Sequence, residues 1–179
     1  SSVPALPQPV EPVDAGDFLE AVRVSGELLG VKGRVLPSTT SPEQLVAQME
    51  AATEVVGERN ISRAHGRIRK VLLSPRSPPP VDGLLEAIRT ADLIAIGPGS
   101  LYSSLMSNLL VDGVTRALCE TRALKVLVAN LMTQPGETDG MDGIAHLEAL
   151  RQQAHPSTPR RQAQDLGGNW LVANDLNFS

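Results

Sequence analysis

Aromatic residues are almost missing from this 179-residue chain: Phe18, Tyr102, Trp170 and Phe178 make up 2% of it. A core must therefore come from Leu, Val, Ile and Ala. Cysteine occurs once, as Cys119, which excludes an internal disulfide framework and fits a reducing cytosol. No apolar run approaches the roughly 20 residues of a spanning helix, and the N-terminus shows no charged-then-apolar signal. An excess of positive charge is also lacking. Sixteen Lys and Arg against twenty Asp and Glu give a net charge of -4, which argues against a nucleic-acid coat or a polybasic membrane surface. These absences lead to the expectation of a soluble cytoplasmic domain with no nucleic-acid or membrane partner.

What remains is ample for a core: 41% of residues are apolar, in a length that suits one domain or slightly more. Residues 1–15, with Pro4, Pro7, Pro9 and Pro12, read as an extended lead-in. Asp17 is a plausible cap for a helix carrying Phe18, Ala21, Val22, Leu28 and Leu29, closed by Gly30. Gly33–Leu36 reads as a short strand. Ser41-Pro42-Glu43-Gln44 reads as a helix start with Leu45, Val46 and Met49 on its buried face. Thr53–Val56 and Arg67–Leu73 read as strands. The basic stretch between them is either a solvated hairpin, with Arg67 and Arg69 outward and Ile68 and Val71 inward, or an anion contact. Four prolines between Ser74 and Pro80 make a stiff connector to a helix near 82–90.

The next segment is more regular. Leu93–Ile96 is a continuous apolar run suited to a strand buried on both faces, and it ends in Gly97-Pro98-Gly99-Ser100. Helical periodicity follows through Leu109, Leu110, Val114, Ala117 and Leu118, interrupted at Asp112-Gly113. Val126–Ala129 repeats the buried-strand pattern and runs into a polar loop, 130–140, before a helix near 142–153 on Ile144, Leu147 and Leu150. Strand, helix, strand and helix define an α/β fold with parallel strands.

In such sheets ligands bind beyond the carboxyl ends of the strands, where both loops begin. Gly97 and Gly99 permit close backbone approach, and Pro98 stiffens the turn. Ser100, Ser103 and Ser104 offer hydroxyls near a helix start, where unpaired N–H groups favour an anion. Equally, such a glycine turn packs a helix against a strand. It is neither a Walker A loop nor the complete dinucleotide fingerprint. Asn130, Thr133, Gln134, Glu137, Thr138 and Asp139 can read sugar hydroxyls or a base edge. Glu137 and Asp139 can alternatively ligate Mg²⁺ or cap the next helix. Tyr102 either stacks on a ring or packs over its loop. His65, His146 and His155 share no metal-ligand spacing, and Cys119 reads as a structural thiol. No activated nucleophile or acid–base pair stands out, so no residue is assigned as catalytic and none as a metal ligand.

The runs Ala91–Ser104, Asn108-Leu109-Leu110 and Asn130–Gly140 closely resemble the bacterial gluconeogenesis factor family, within the 2-phospholactate transferase-like superfamily. Gly16–Ala21, Val31–Pro37, Val56-Gly57-Glu58 and Leu84–Ile88 resemble it in the same order. The resemblance implies a Rossmann-like three-layer sandwich with a mainly parallel sheet. It also implies a regulator of carbon metabolism and cell shape that binds a UDP-sugar such as UDP-N-acetylglucosamine, with no required cofactor. The ligand-binding positions are then Gly97, Pro98, Gly99, Ser100, Tyr102, Ser103, Ser104, Asn108, Asn130, Thr133, Gln134, Glu137 and Asp139. A homo-oligomer is compatible with this reading. The alternative within the superfamily is Mg²⁺-dependent phospholactyl transfer to a deazaflavin, though Gly99-Ser100-Leu101-Tyr102 follows the first branch. The family's opening glycine-rich strand–loop–helix has no counterpart here. Met106-Ser107 and Asp112 replace its usual Leu-Pro and Pro. On this view the matching domain runs over 16–153. Residues 154–179 do not clearly match, although Leu171-Val172-Ala173 suits a last strand.

Overall fold

A computed structural model of the protein describes residues 15–64, 66–154 and 170–173. The Pro-rich lead-in up to Asp14, His65 and His155 lie outside them, while Ala15, the last residue of the expected lead-in, is already helical. The first helix, α1 (Ala15–Leu28), begins two residues before Asp17, so Asp17 lies within it and is not its cap. Gly30, at φ +67°, closes it as expected, with the Gly30 and Val31 N–H groups donating to the Glu27 and Gly26 carbonyls. Its stripe faces outward: Phe18, Leu28 and Leu29 are exposed. No strand forms at Gly33–Leu36. Val35 packs on α1 instead, with its Cγ2 3.3 Å from where a Cβ on Gly26 would stand.

The helix expected after Ser41 is a strand, β1 (Gln44–Met49). Leu45, Ala47 and Met49 are buried in strict alternation, the period of a pleated strand. It is the centre of an antiparallel sheet ordered β2-β1-β3, with β2 (Glu54–Val56) and β3 (Ile68–Ser74). Leu45 faces Leu73, and Ala47 faces both Val71 and Val55. Two ladders of backbone bonds outweigh a local capping signal. Because β1 lies between them, β2 and β3 do not form a hairpin; the short helix α2 (Glu58–Ile61) joins them. Arg67 and Arg69 do point outward, and Ile68 and Val71 inward.

After α3 (Leu84–Thr90), strand β4 (Leu93–Ile96) pairs in parallel with β5 (Leu124–Val128), and β5 with β6 (Trp170–Ala173). Between β4 and β5 run a π-helical turn (Leu101–Met106), α4 (Ser107–Leu109) and α5 (Val114–Glu120). Helix α6 (Gly143–Ala154) follows β5. The fold is mixed α/β. The described strands divide equally between one parallel and one antiparallel sheet, so the expected predominance of parallel pairing holds only for β4–β6. Strand β4 is not buried on both faces: it lies at the edge of its sheet, leaving Leu93 exposed. One core joins the sheets, with Leu45, Val71 and Leu73 packed in a cluster with Leu101, Met106, Leu127 and Leu150. Ile144 stands outside that core, exposed, whereas His146 is buried and its Nδ1 lies 2.8 Å from the Asp142 carbonyl. Cys119 is half-buried in α5.

Lys125 is 1% exposed at the start of β5. Its Nζ donates to the carbonyls of Thr121 and Ala123, at 3.1 and 3.2 Å, just beyond the end of α5. A cation there complements the carbonyl end of the helix. Lys125→Met keeps the apolar stem but leaves both carbonyls without their donor. It should lower stability by about 1–3 kcal/mol in urea unfolding.

Candidate functional site

The carboxyl ends of β4 and β5 bring the two loops together, and glycine makes this possible. Gly97 has φ +94°, and a Cβ there would stand 2.5 Å from the Val128 carbonyl oxygen. Gly99 has no such constraint: a Cβ would meet the Leu105 and Ser104 side chains at 3.4 Å. The Ser100 carbonyl then accepts from both the Ser104 and Leu105 N–H groups, which starts the wide turn.

Three side-chain bonds cross from one loop to the other. Asn130 Nδ2 donates to the Gly99 carbonyl at 3.1 Å, Gln134 Nε2 to Ser100 Oγ at 3.0 Å, and Ser103 Oγ to Glu137 Oε1 at 3.3 Å. The second loop is braced internally as well. The Gln134 N–H donates to Thr138 Oγ1, and the Gly136 N–H to Asp139 Oδ2. Many expected ligand readers thus hold one another. Asn108, exposed, donates to the Ser104 carbonyl at 2.7 Å.

The expected residues face different ways. Pro98 and Thr133 are exposed at the shoulder between the loops. Gly97 and Asn108 border an apolar hollow of about 270 Å³ beside β4, walled by Leu84, Ile88 and Leu105. Tyr102, Glu137 and Asp139 line a cavity of about 540 Å³ against α6. Tyr102 does not lie open for stacking: it is 8% exposed and belongs to the core cluster. Burial, and then the charges of Glu137 and Glu50, hold its phenol above its ordinary pKa. Glu50, Arg67 and Glu148 also line this cavity; Glu50 and Glu148 were not singled out in the sequence, and Arg67 only as part of the basic stretch that could contact an anion. Only the pairing of β1 with β3 brings Glu50 and Arg67 together, and the Glu50 N–H donates to the Arg67 carbonyl.

Glu137 is buried, and its Oε1 receives the Ser62 hydroxyl as well as that of Ser103. Asp139 is exposed and braces its own turn. Among the described residues no three His, Cys, Asp or Glu side chains gather closely enough to hold a metal ion.

The chain is thus a mixed α/β protein whose paired loops lie beyond two parallel strand ends, the edge where open parallel sheets bind ligands in general. The comparisons narrow this description. The family model described as 2-phospho-L-lactate transferase CofD matches residues 11–177, and the chain belongs to this family. It is 44% identical over 135 residues to the gluconeogenesis factor of Halalkalibacterium halodurans, covering 75% of this chain and 42% of that protein. It is 42% identical over 137 residues to the gluconeogenesis factor of Bacillus subtilis, covering 76% and 43%. A Bacillus halodurans crystal structure, described as a member of the upf0052 family, superposes with a TM-score of 0.76 at 38% identity. That match covers 88% of this chain and 49% of that one. The chain therefore spans less than half the length of the curated relatives it matches.

Two outcomes follow from the geometry. Gly97→Ala should cost about 1–3 kcal/mol or more, because a strained φ is added to a backbone clash, while Gly99→Ala should cost less than about 1 kcal/mol. Thermal unfolding of both variants checks the contrast. Tyr102, the only tyrosine, should titrate above free tyrosine, and Glu137→Gln should bring it down. Since folding raises this pKa, stability should decline as pH passes the unfolded value of about 10 and climbs toward the folded one. Absorbance titration with alkaline unfolding curves measures both.

Proposed function

We propose that this chain is the ligand-binding portion of a gluconeogenesis-factor-type regulator, and that its ligand is a nucleotide sugar of the UDP-N-acetylglucosamine kind. The supporting observation is the pair of loops fastened together at adjacent parallel strand ends, on a chain whose relatives carry that name. In this reading Gly97–Ser100 and the start of the π turn receive the diphosphate. Asn130 and the exposed Thr133 border the sugar or ribose. Glu137 positions Ser103 from behind. The two described sheets and their helices form part of a Rossmann-like three-layer sandwich completed in the longer protein. The working location is the cytoplasm, the output is control of carbon metabolism and cell shape, and a homo-oligomer is the natural assembly. No helix among the described residues is long and apolar enough to cross a membrane.

The family name favours a second reading, Mg²⁺-dependent transfer of a phospholactyl group to a deazaflavin. There the metal would have to be held largely by the donor's own phosphates, since Glu137 and Asp139 do not converge on a common point with a third ligand.

Calorimetric melting with UDP-N-acetylglucosamine separates the two. At one hundred times its dissociation constant the ligand should add about 2.7 kcal/mol without Mg²⁺. Thr133→Glu, an exposed change that sets a carboxylate at the shoulder, should weaken binding about tenfold while leaving the unliganded melting temperature unchanged. No shift with the UDP-sugar, but one with a deazaflavin and Mg²⁺, would favour the transferase reading.

A further inference from the structure

The cavity of about 540 Å³ between the second loop, α6 and the β1–β3 sheet is unlike the shoulder in its chemistry. Its inner wall holds Tyr102 and Glu137, each 8% exposed. Glu137 Oε1 receives two hydroxyls, but its buried Oε2 has no hydrogen-bond partner. The Tyr102 hydroxyl makes no hydrogen bond among the described residues. Around the mouth stand the exposed carboxylates of Glu50, Asp139 and Glu148, and Arg67 is the one cationic side chain among the described lining residues.

A buried, unsatisfied carboxylate oxygen is costly unless a donor reaches it. Four carboxylates against one guanidinium give the cleft a negative potential that concentrates cations. An anionic ligand would meet charge of its own sign there. A bare divalent ion also fits poorly, because the acidic groups are not gathered around one point. Separated carboxylates along a cavity this large match a flexible chain with separated positive charges. Ammonium groups are donors only, which is what Glu137 Oε2 lacks and what the Tyr102 oxygen can accept. We propose that this cavity binds a small organic polycation, an aliphatic polyamine, beside and separate from the nucleotide-sugar shoulder.

Spermidine is a suitable probe, titrated calorimetrically into the 179-residue chain at low ionic strength while the near-UV signal of Tyr102 is followed. One saturable site with a tyrosine change is expected. Glu148→Gln should weaken it at least threefold and Glu137→Gln about tenfold, while Arg67→Ala should tighten it. Glu148 and Arg67 are exposed, so the test does not depend on Glu137→Gln folding. Saturating UDP-N-acetylglucosamine should not displace spermidine, and Mg²⁺ should weaken it only as much as matched ionic strength does. The proposal is overturned by an absence of saturable binding, or by affinity unchanged in both Glu148→Gln and Arg67→Ala. It is equally overturned if Mg²⁺ alone saturates the site with the same tyrosine change, or if the UDP-sugar competes one for one.

Discussion

The paired loops of this molecule depend on one close approach, that of Gly97 to the carbonyl of Val128. Parallel pairing brings β4 and β5 side by side, but pairing alone does not say how the chain leaves them. At Gly97 it turns across the end of its neighbour in a space no side chain can share. From there the Ser100 carbonyl begins the π turn, and Asn130 and Gln134 reach across to the glycine loop. A displacement of Gly97 would move both bonds from Asn130 and Gln134, because each spans the gap it closes.

Strand β5 is fixed at both ends, by different means. At its start the buried Lys125 amine ties the strand to the last carbonyls around α5, and at its finish Val128 sits against the glycine turn. A strand so held cannot slip in register, since a one-residue shift would carry Lys125 out of its carbonyl cradle and reverse every buried side chain. The 130–140 loop inherits that fixed origin. Loops that carry function work best when a rigid scaffold presents them, and here the scaffold continues into the loop as Thr138 and Asp139 brace its turns.

The parallel unit was legible in the sequence because its signals are local. Short apolar runs, a glycine turn at the end of β4 and a periodic helix before β5 describe β4, α5 and β5 without reference to anything distant. Strand β1 was not legible for the opposite reason. Ser41–Gln44 carries the local grammar of a helix start, whereas the evidence for a strand lies in partners as far away as Leu73. The alternation of Leu45, Ala47 and Met49 was available, but Val46 in the same run equally suited a helical face. The site shows the same division. The loop residues could be named from their position after strands, while Glu50 and Arg67 gain meaning only when β1 and β3 lie together, and Glu148 only when α6 folds back against them.

The polar residues of the two loops have a structural role whatever else they do, and this constrains the functional argument. Asn130, Gln134 and Ser103 each donate to an acceptor on the opposite loop. In the proposed reading a ligand at the shoulder would meet loops already fastened to each other, with Asn130, Gln134 and Ser103 held in place beforehand. Preorganisation of this kind lowers the entropic cost of association. It also explains why a loop so rich in polar groups contains no evident acid–base pair. Its one buried carboxylate, Glu137, is turned away from the shoulder, with one oxygen bracing Ser62 and Ser103 and the other left without a partner. An arrangement that spends its hydrogen bonds on holding two loops at a fixed separation is suited to recognising a ligand of set shape, and the reserve of negative charge behind it is suited to one of the opposite sign.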